Sequence, residues 1–238
     1  MDEVLKKIIE ESNSICFMTG AGISIASGIP DFRSSKGIYN MNYHYSPERI
    51  LSRSFYLKNP KEFYDFYFKH MLYPQALPND THKAIAMLEK KGKKVTVITQ
   101  NIDGLHQLAG SSEVLELHGS VHRNHCLKCH RFYNLEDLMK LGNPPKCECS
   151  GLVKPDVVLY EEGLDMDLLY RAIEAIEQCD ALIVCGTSLV VNPAASLVRY
   201  YHGNKFVIIN MSSTPYDNLA NLVINEPAEN VLKYIIDK

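Results

Sequence analysis

Ile15-Cys16-Phe17-Met18-Thr19-Gly20-Ala21-Gly22 decides the fold, because a short apolar run of strand length breaks directly into a glycine turn. Similar runs recur at Val95-Thr96-Val97-Ile98-Thr99, Val114-Leu115-Glu116-Leu117, Ala181-Leu182-Ile183-Val184-Cys185 and Phe206-Val207-Ile208-Ile209. Helical periodicity precedes several of them, over 82–91, 165–178 and 193–201. A further helix is expected over 2–12, with Val4, Leu5, Ile8 and Ile9 on its apolar face. Strands that are apolar throughout and alternate with helices imply a mostly parallel sheet covered on both sides. The fold class is therefore α/β, a doubly wound domain whose ligand lies beyond the carboxyl ends of the strands.

Two segments interrupt the alternation. Residues 37–78 are rich in Tyr and Phe and helical in their second half, and residues 120–154 carry four closely spaced cysteines. Both read as insertions that build a smaller lobe. The expected division is 1–36, 79–119 and 155–238 for the main domain, 37–78 for a helical part of the small lobe and 120–154 for a metal module.

The 238 residues carry 25 Lys and Arg against 28 Asp and Glu, a net charge of −3, so the overall field attracts neither nucleic acid nor an anionic membrane. No apolar run approaches the ~18 residues of a membrane span, and the first residues do not form a signal peptide. A cytoplasmic location follows as the expectation. Without an oxidising compartment, cysteines are expected as thiols or metal ligands. Cys126-x-x-Cys129 and Cys147-x-Cys149 are two close pairs joined by a loop, which suits tetrahedral zinc. Four thiolates fill the shell, so one structural zinc per chain is expected; His125 and His130 flank the first pair as alternative ligands. Cys16, Cys179 and Cys185 stand among apolar neighbours and read as small buried side chains.

Polar residues gather where strands end. Gly20-Ala21-Gly22-Ile23-Ser24 lacks the third glycine of a dinucleotide fingerprint, so by itself it is equally a tight turn. Gly28-Ile29-Pro30-Asp31-Phe32-Arg33 suits a loop that closes over a ligand, the ring covering a flat group and the guanidinium meeting an oxyanion. Gln100-Asn101-Ile102-Asp103 follows one buried run and can fix hydroxyls or a carboxamide, or cap a helix. His118, before Gly119 at the end of another run, is the histidine best placed to act as a base. Gly186-Thr187-Ser188 and Asn210-Met211-Ser212 offer amides and hydroxyls to phosphate and ribose.

Taken in this order, these segments, with Lys154-Pro155-Asp156-Val157-Val158, resemble the sirtuin family of NAD-dependent protein deacylases over about residues 15–225. The resemblance implies a Rossmann-like domain and a zinc-bearing small lobe, with NAD consumed as a co-substrate. By it, Ala21, Gly22, Ile25, Asp31, Phe32 and Arg33 would line the NAD site together with Gln100, Ile102, Gly186, Thr187, Ser188 and Asn210. Met211 and the strand at Val223-Ile224 would flank the adenosine. Asn101 and Asp103 would hold the nicotinamide ribose and carboxamide region, and His118 would be the catalytic base. An acetyl-lysine protein or peptide would add a strand beside Val158-Leu159-Tyr160-Glu161 and Leu189-Val190-Val191. The implied reaction releases nicotinamide when the acyl oxygen attacks the ribose, and yields free lysine and O-acetyl-ADP-ribose.

The sequence departs from the family's pattern at three places. Ile25 replaces a small or hydroxylated residue, Lys154 replaces arginine, and Tyr160-Glu161-Glu162 replaces Phe-Gly-Glu, setting a carboxylate beside the peptide groove. Family members that remove acidic acyl groups carry Tyr-x-x-Arg in the small lobe; the matching stretch, Tyr67-Phe68-Lys69-His70, has His70 in the arginine's place. Acetyl is therefore expected over succinyl. Competing readings are a nicotinamide dehydrogenase, which needs the complete glycine fingerprint, a zinc-ribbon binding module, and ADP-ribosyl transfer to protein. The cysteine-bearing stretch has no dense basic patch, so no nucleic-acid partner is expected.

Overall fold

The computed structural model describes residues 2–34, 37–40 and 43–236. Its strands are β1 (Ser14–Thr19), β2 (Lys94–Thr99), β3 (Val114–Glu116), β4 (Gly119–Cys126), β5 (Phe132–Tyr133), β6 (Val153–Val157), β7 (Ala181–Cys185), β8 (Phe206–Ile209) and β9 (Leu222–Ile224). The α-helices are α1 (Glu3–Glu11), α2 (Pro47–Ile50), α3 (Arg53–Lys58), α4 (Pro60–His70), α5 (Asp80–Lys90), α6 (Leu105–Ala109), α7 (Leu135–Lys140), α8 (Met166–Gln178) and α9 (Ala228–Leu232).

Six strands form one parallel sheet in the order β3-β2-β1-β7-β8-β9, with Thr19 opposite both Thr99 and Cys185. Side chains alternate along a strand, so β1 sends Ile15 and Phe17 to one face and Cys16 and Met18 to the other. The first face is covered by α1, α5 and α9 through Leu5, Ile85 and Leu232, the second by α8 and the 3-10 helix Ala194–Tyr200 through Ile176 and Leu197. The doubly wound α/β expectation holds. From β1 the chain winds outward to β2 and β3, then crosses to β7, β8 and β9. The order thus reverses between β1 and β7, where such sheets leave a crevice.

Two local expectations change. Val4 is 54% exposed, because it lies about 100° round the helix from Leu5, outside the stripe that reaches the sheet. The helix expected over 193–201 is the 3-10 segment just described. The strand that the resemblance implies at Val223-Ile224 is present as β9, at the sheet edge, with its three residues half-buried.

The remaining strands make an antiparallel sheet in the order β5-β4-β6. The helices α2, α3 and α4 pack on it through Ile50, Phe55, Tyr56, Phe63 and Tyr64, beside Cys126 and Cys147. The hydroxyls of Tyr56 and Tyr64 both donate to the Val153 carbonyl, so the aromatic-rich insertion is tied to β6. This core explains why residues 37–78 hold so many rings: a small lobe gains its apolar area from few, large side chains.

Candidate active site

At the sheet's switch point, two loops meet more closely than side chains would permit. The Gly22 amide donates to the Gly186 carbonyl at 2.8 Å, and a Cβ on Gly22 would stand 2.7 Å from that oxygen. Gly186 itself has φ +59°, a left-handed backbone that glycine adopts without penalty. The glycines after β1 and β7 thus serve loop-to-loop packing, which sets the floor of a cleft of about 1200 Å³. This cleft is long and walled by both lobes. Its lining includes Ala21, Gly22, Ile25, Asp31, Phe32 and Arg33 from the loop after β1, and Gln100, Asn101, Ile102 and Asp103 after β2. His118, Gly186, Thr187, Ser188, Asn210 and Met211 complete that side, while Val158, Leu159, Tyr160, Glu161 and Val191 line the other part. Leu189, Val190, Val223 and Ile224 are not in the lining: Leu189 is buried in the core, Val190 is exposed, and Val223 and Ile224 pair with Ile208 and Ile209 at the sheet edge, where Glu226 reaches the cleft instead.

The polar residues after β2 are held by a chain of hydrogen bonds. Asn101, 8% exposed, donates from Nδ2 to the Gly20 carbonyl and to Ser24 Oγ, both at 3.1 Å. Ser24 Oγ donates to Asp103 Oδ2 at 2.7 Å, and the other Asp103 oxygen accepts the Leu105 amide at 3.0 Å. Burial pushes the Asp103 carboxyl up, opposed by those two hydrogen bonds. Ser24 is the link in this chain, which its position in the glycine motif marks but its chemistry alone does not reveal.

His118 stands at the junction of the two lobes. Gly119 follows with φ +76°, and a Cβ there would meet the Asp156 carbonyl at 1.8 Å, so only glycine lets β4 and β6 approach. His118 Nδ1 lies 3.0 Å from the Gln100 carbonyl. A carbonyl only accepts, so Nδ1 carries the proton and Nε2 keeps its lone pair. Burial lowers the His118 pKa, the hydrogen bond to Gln100 partly opposing it. The ring is therefore neutral at pH 7, with a basic nitrogen available.

The loop of Phe32 and Arg33 is braced by Tyr39. The Tyr39 amide donates to the Phe32 carbonyl at 2.9 Å, its ring lies 5.4 Å from that of Phe32, and the Arg33 guanidinium sits 5.3 Å above it. The Tyr39 hydroxyl also bonds that of Tyr160. Glu161 has φ +74°, which explains why glycine suits this position, and its carboxylate accepts from the Ser54 amide and hydroxyl, each at 2.8 Å. These bonds hold its pKa below the usual carboxylate range and tie the groove to the first turn of α3. Lys154 pairs with Glu162 at 3.0 Å, beside the carbonyls of Pro155 and Val157. In the small lobe, His70 lines the cleft with its Nε2 bonded to the Tyr43 hydroxyl, whereas Tyr67 is fully buried with its ring stacked on Phe63. Tyr67 is a core residue here because α4 turns its aromatic stripe inward.

The sulfurs of Cys126, Cys129, Cys147 and Cys149 lie within 4.8 Å of one another, with 3.5 Å between Cys126 and Cys149 and between Cys129 and Cys147. Tetrahedral zinc with ~2.3 Å bonds requires sulfurs about 3.8 Å apart, so the four thiols fit the ion. Gly151 is squeezed against them: a Cβ would stand 2.6 Å from the Cys126 sulfur. The alternative ligand His125 is engaged elsewhere, its Nδ1 bonded to Asp156 at 2.8 Å.

The Sir2 family profile matches residues 20–193. The chain is 52% identical to an NAD-dependent protein deacetylase of Clostridium tetani, covering 98% of this chain and 96% of that one. It is 44% identical to an NAD-dependent protein deacetylase of Staphylococcus aureus, with 98% and 97% covered. Among solved structures it resembles a Sir2 complex with a deacetylated p53 peptide and 3'-O-acetyl ADP ribose (TM-score 0.90, 40% identity, 100% of this chain and 97% of that one). A Sir2 bound to acetylated peptide is similar at TM-score 0.87 and 37% identity, with 100% and 98% covered. With a two-lobed cleft at the switch point, four clustered thiols in the small lobe and relatives matched from end to end, this chain belongs to the Sir2 family.

Proposed function

We propose that the chain is an NAD-dependent protein-lysine deacetylase that passes the acetyl group to ADP-ribose and releases nicotinamide. The observation that carries this reading is a neutral His118, its Nε2 lone pair available and its Nδ1 held by the Gln100 carbonyl, beside Asn101 and Asp103 of that same 100–103 loop, which Ser24 joins from the loop after β1. NAD, when bound, supplies the ADP-ribosyl group that receives the acetyl, with nicotinamide as the leaving group. His118 Nε2 accepts a proton from a ribose hydroxyl, which makes that oxygen a nucleophile. Asn101 and Asp103 hold the ribose and carboxamide region with side chains already fixed, so little ordering remains for the reacting state. Phe32 and the apolar walls at Ile102, Leu159 and Val191 exclude water, which would otherwise hydrolyse an activated ribose. Thr187, Ser188, Asn210 and Met211 take the adenosine end of the cleft, and Ala21, Gly22, Asp31 and Arg33 the pyrophosphate side.

The acetyl-lysine segment lies between the lobes. The amides of Val158 and Tyr160 are used by the carbonyls of His118 and Leu51, so the groove offers the peptide the Val158 carbonyl and the Glu161 backbone instead. The division at 119/120 and 154/155 makes β4 and β6 the connection between a nucleotide-binding unit and a zinc-bearing lobe. None of the described helices is long and apolar enough to cross a membrane, and the working location is the cytoplasm. Mixing the protein with an acetyl-lysine peptide tests the reading by mass spectrometry. The acetyl group is expected to leave only when NAD is added. Loss of acetyl without NAD, or none with it, overturns the reading.

A further inference from the structure

Two buried histidines take no part in the chemistry above. His106, 1% exposed, sits on α6 with Nε2 3.0 Å from Thr19 Oγ1. The Thr19 hydroxyl donates to Thr99 Oγ1 at 2.9 Å, and Thr99 Oγ1 also accepts the Asn101 amide at 3.0 Å. Because the Thr19 proton is directed at Thr99, its oxygen accepts from the ring, so His106 carries its proton on Nε2. The ring's Nδ1 then has no partner among the described residues, and neither nitrogen of His82, 4.8 Å away ring to ring, has one. Unsatisfied buried nitrogens cost stability that an apolar side chain would retain. Burial, helped at His106 by the nearby His82, also holds His106 neutral.

The chain of bonds from His106 ends on the loop that holds the chemistry. That loop's Gln100 carbonyl orients His118, and its Asn101 side chain bonds Gly20 and Ser24. We propose that His106 is a positioning residue for deacetylation: through Thr19 and Thr99, at the ends of β1 and β2, it fixes residues 100–103 so that Asn101 and His118 stand in reacting geometry. The inference rests on the function proposed above. His106 touches neither NAD nor peptide, so its loss is felt in kcat and not in substrate binding.

Steady-state kinetics of five proteins test this: wild type, His106→Leu, His106→Gln, Thr19→Val and the double variant His106→Leu with Thr19→Val, each checked for zinc content and melting temperature. His106→Leu and Thr19→Val are expected to lower kcat roughly 10- to 100-fold with KM for peptide and NAD little changed, the cost of a loop displaced by a fraction of an ångström to an ångström. Their double variant is expected to be no worse than the weaker single, because both break one chain of bonds. His106→Gln, whose amide places an N–H near the Nε2 position, is expected to recover most of the rate. A fully active His106→Leu, or a folded His106→Gln as slow as the leucine variant, overturns the inference. Should His106→Leu fail to fold, Thr19→Val decides, since a folded variant with wild-type kcat also overturns it. Wild type that shows no NAD-dependent turnover refutes the functional reading itself, a result distinct from active wild type with indifferent variants.

Discussion

His118 is a base because of what it touches: a carbonyl claims the Nδ1 proton and burial keeps the ring neutral. His118→Ala is expected to lower kcat/KM by ~10²- to 10⁴-fold, the range of a positioned base, with fold and zinc unchanged. The neutral ring is the active form and its pKa is depressed, so wild-type kcat/KM should stay level near pH 7 and fall only on the acid side of the usual 6.5 for histidine. A pH–rate profile with its acid limb above that value would contradict the assignment. A second residue sets acyl choice. His70 lines the cleft, and burial and the nearby Lys69 lower its pKa, so it presents no fixed charge to an acidic acyl group. Lys69 is exposed and absent from the lining. A desolvated carboxylate without a partner costs several kcal/mol, so acetyl peptide should exceed the matched succinyl peptide by more than about a hundredfold in kcat/KM. Equal rates would show that another cation reaches the pocket.

At the scale of elements, α5 and α6 pack their histidines against each other under the sheet's end. Burial pushes His82 down to about 4, against 6.5 in the unfolded chain. The unfolded state therefore binds a proton that the folded state refuses. The stability tied to His82 is complete above pH 6.5 and is lost as pH falls, by about 3 kcal/mol at pH 4. Urea midpoints measured from pH 7 to 4 should fall less steeply for His82→Gln than for wild type; parallel curves would place the acid sensitivity elsewhere. The zinc module is the second element with its own stability. Its four thiols bring β4 and the 147–151 turn together, and structural zinc contributes ~10–16 kcal/mol to folding of such modules. Cys147→Ser should lose the one zinc per chain and the hydrogen-exchange protection of residues 120–155, while β1 and β7 stay protected. A metal-free variant with full activity and an ordered small lobe would refute a structural role.

Across the whole molecule, what the sequence disclosed was what periodicity carries. Five apolar runs of strand length gave the sheet, because strands buried on both faces leave no alternation to misread. β9 escaped as a buried run, since an edge strand of three half-buried residues carries little apolar signal. Val4 misled because apolar character does not say where a helix stripe ends. Polar residues at strand ends pointed to one cleft, and the structure gathers them along it, whereas the apolar Leu189, Val190, Val223 and Ile224 lie outside its lining. What no single motif showed was the bonding between them: Ser24, Asn101 and Asp103 come from two loops joined only in the fold, as do Tyr39 and Tyr160 or Glu161 and Ser54. The same is true of Tyr67, whose place in the core depends on which way α4 is rolled.

The central claim is that this cleft uses NAD as the acceptor of an acetyl group and not as a carrier of hydride. One measurement addresses it directly: quantify nicotinamide, deacetylated peptide and O-acetyl-ADP-ribose in a single reaction by mass spectrometry. The account predicts equal amounts of all three. Deacetylated peptide with free acetate as its initial product and NAD left intact, or NADH among the products, would contradict it.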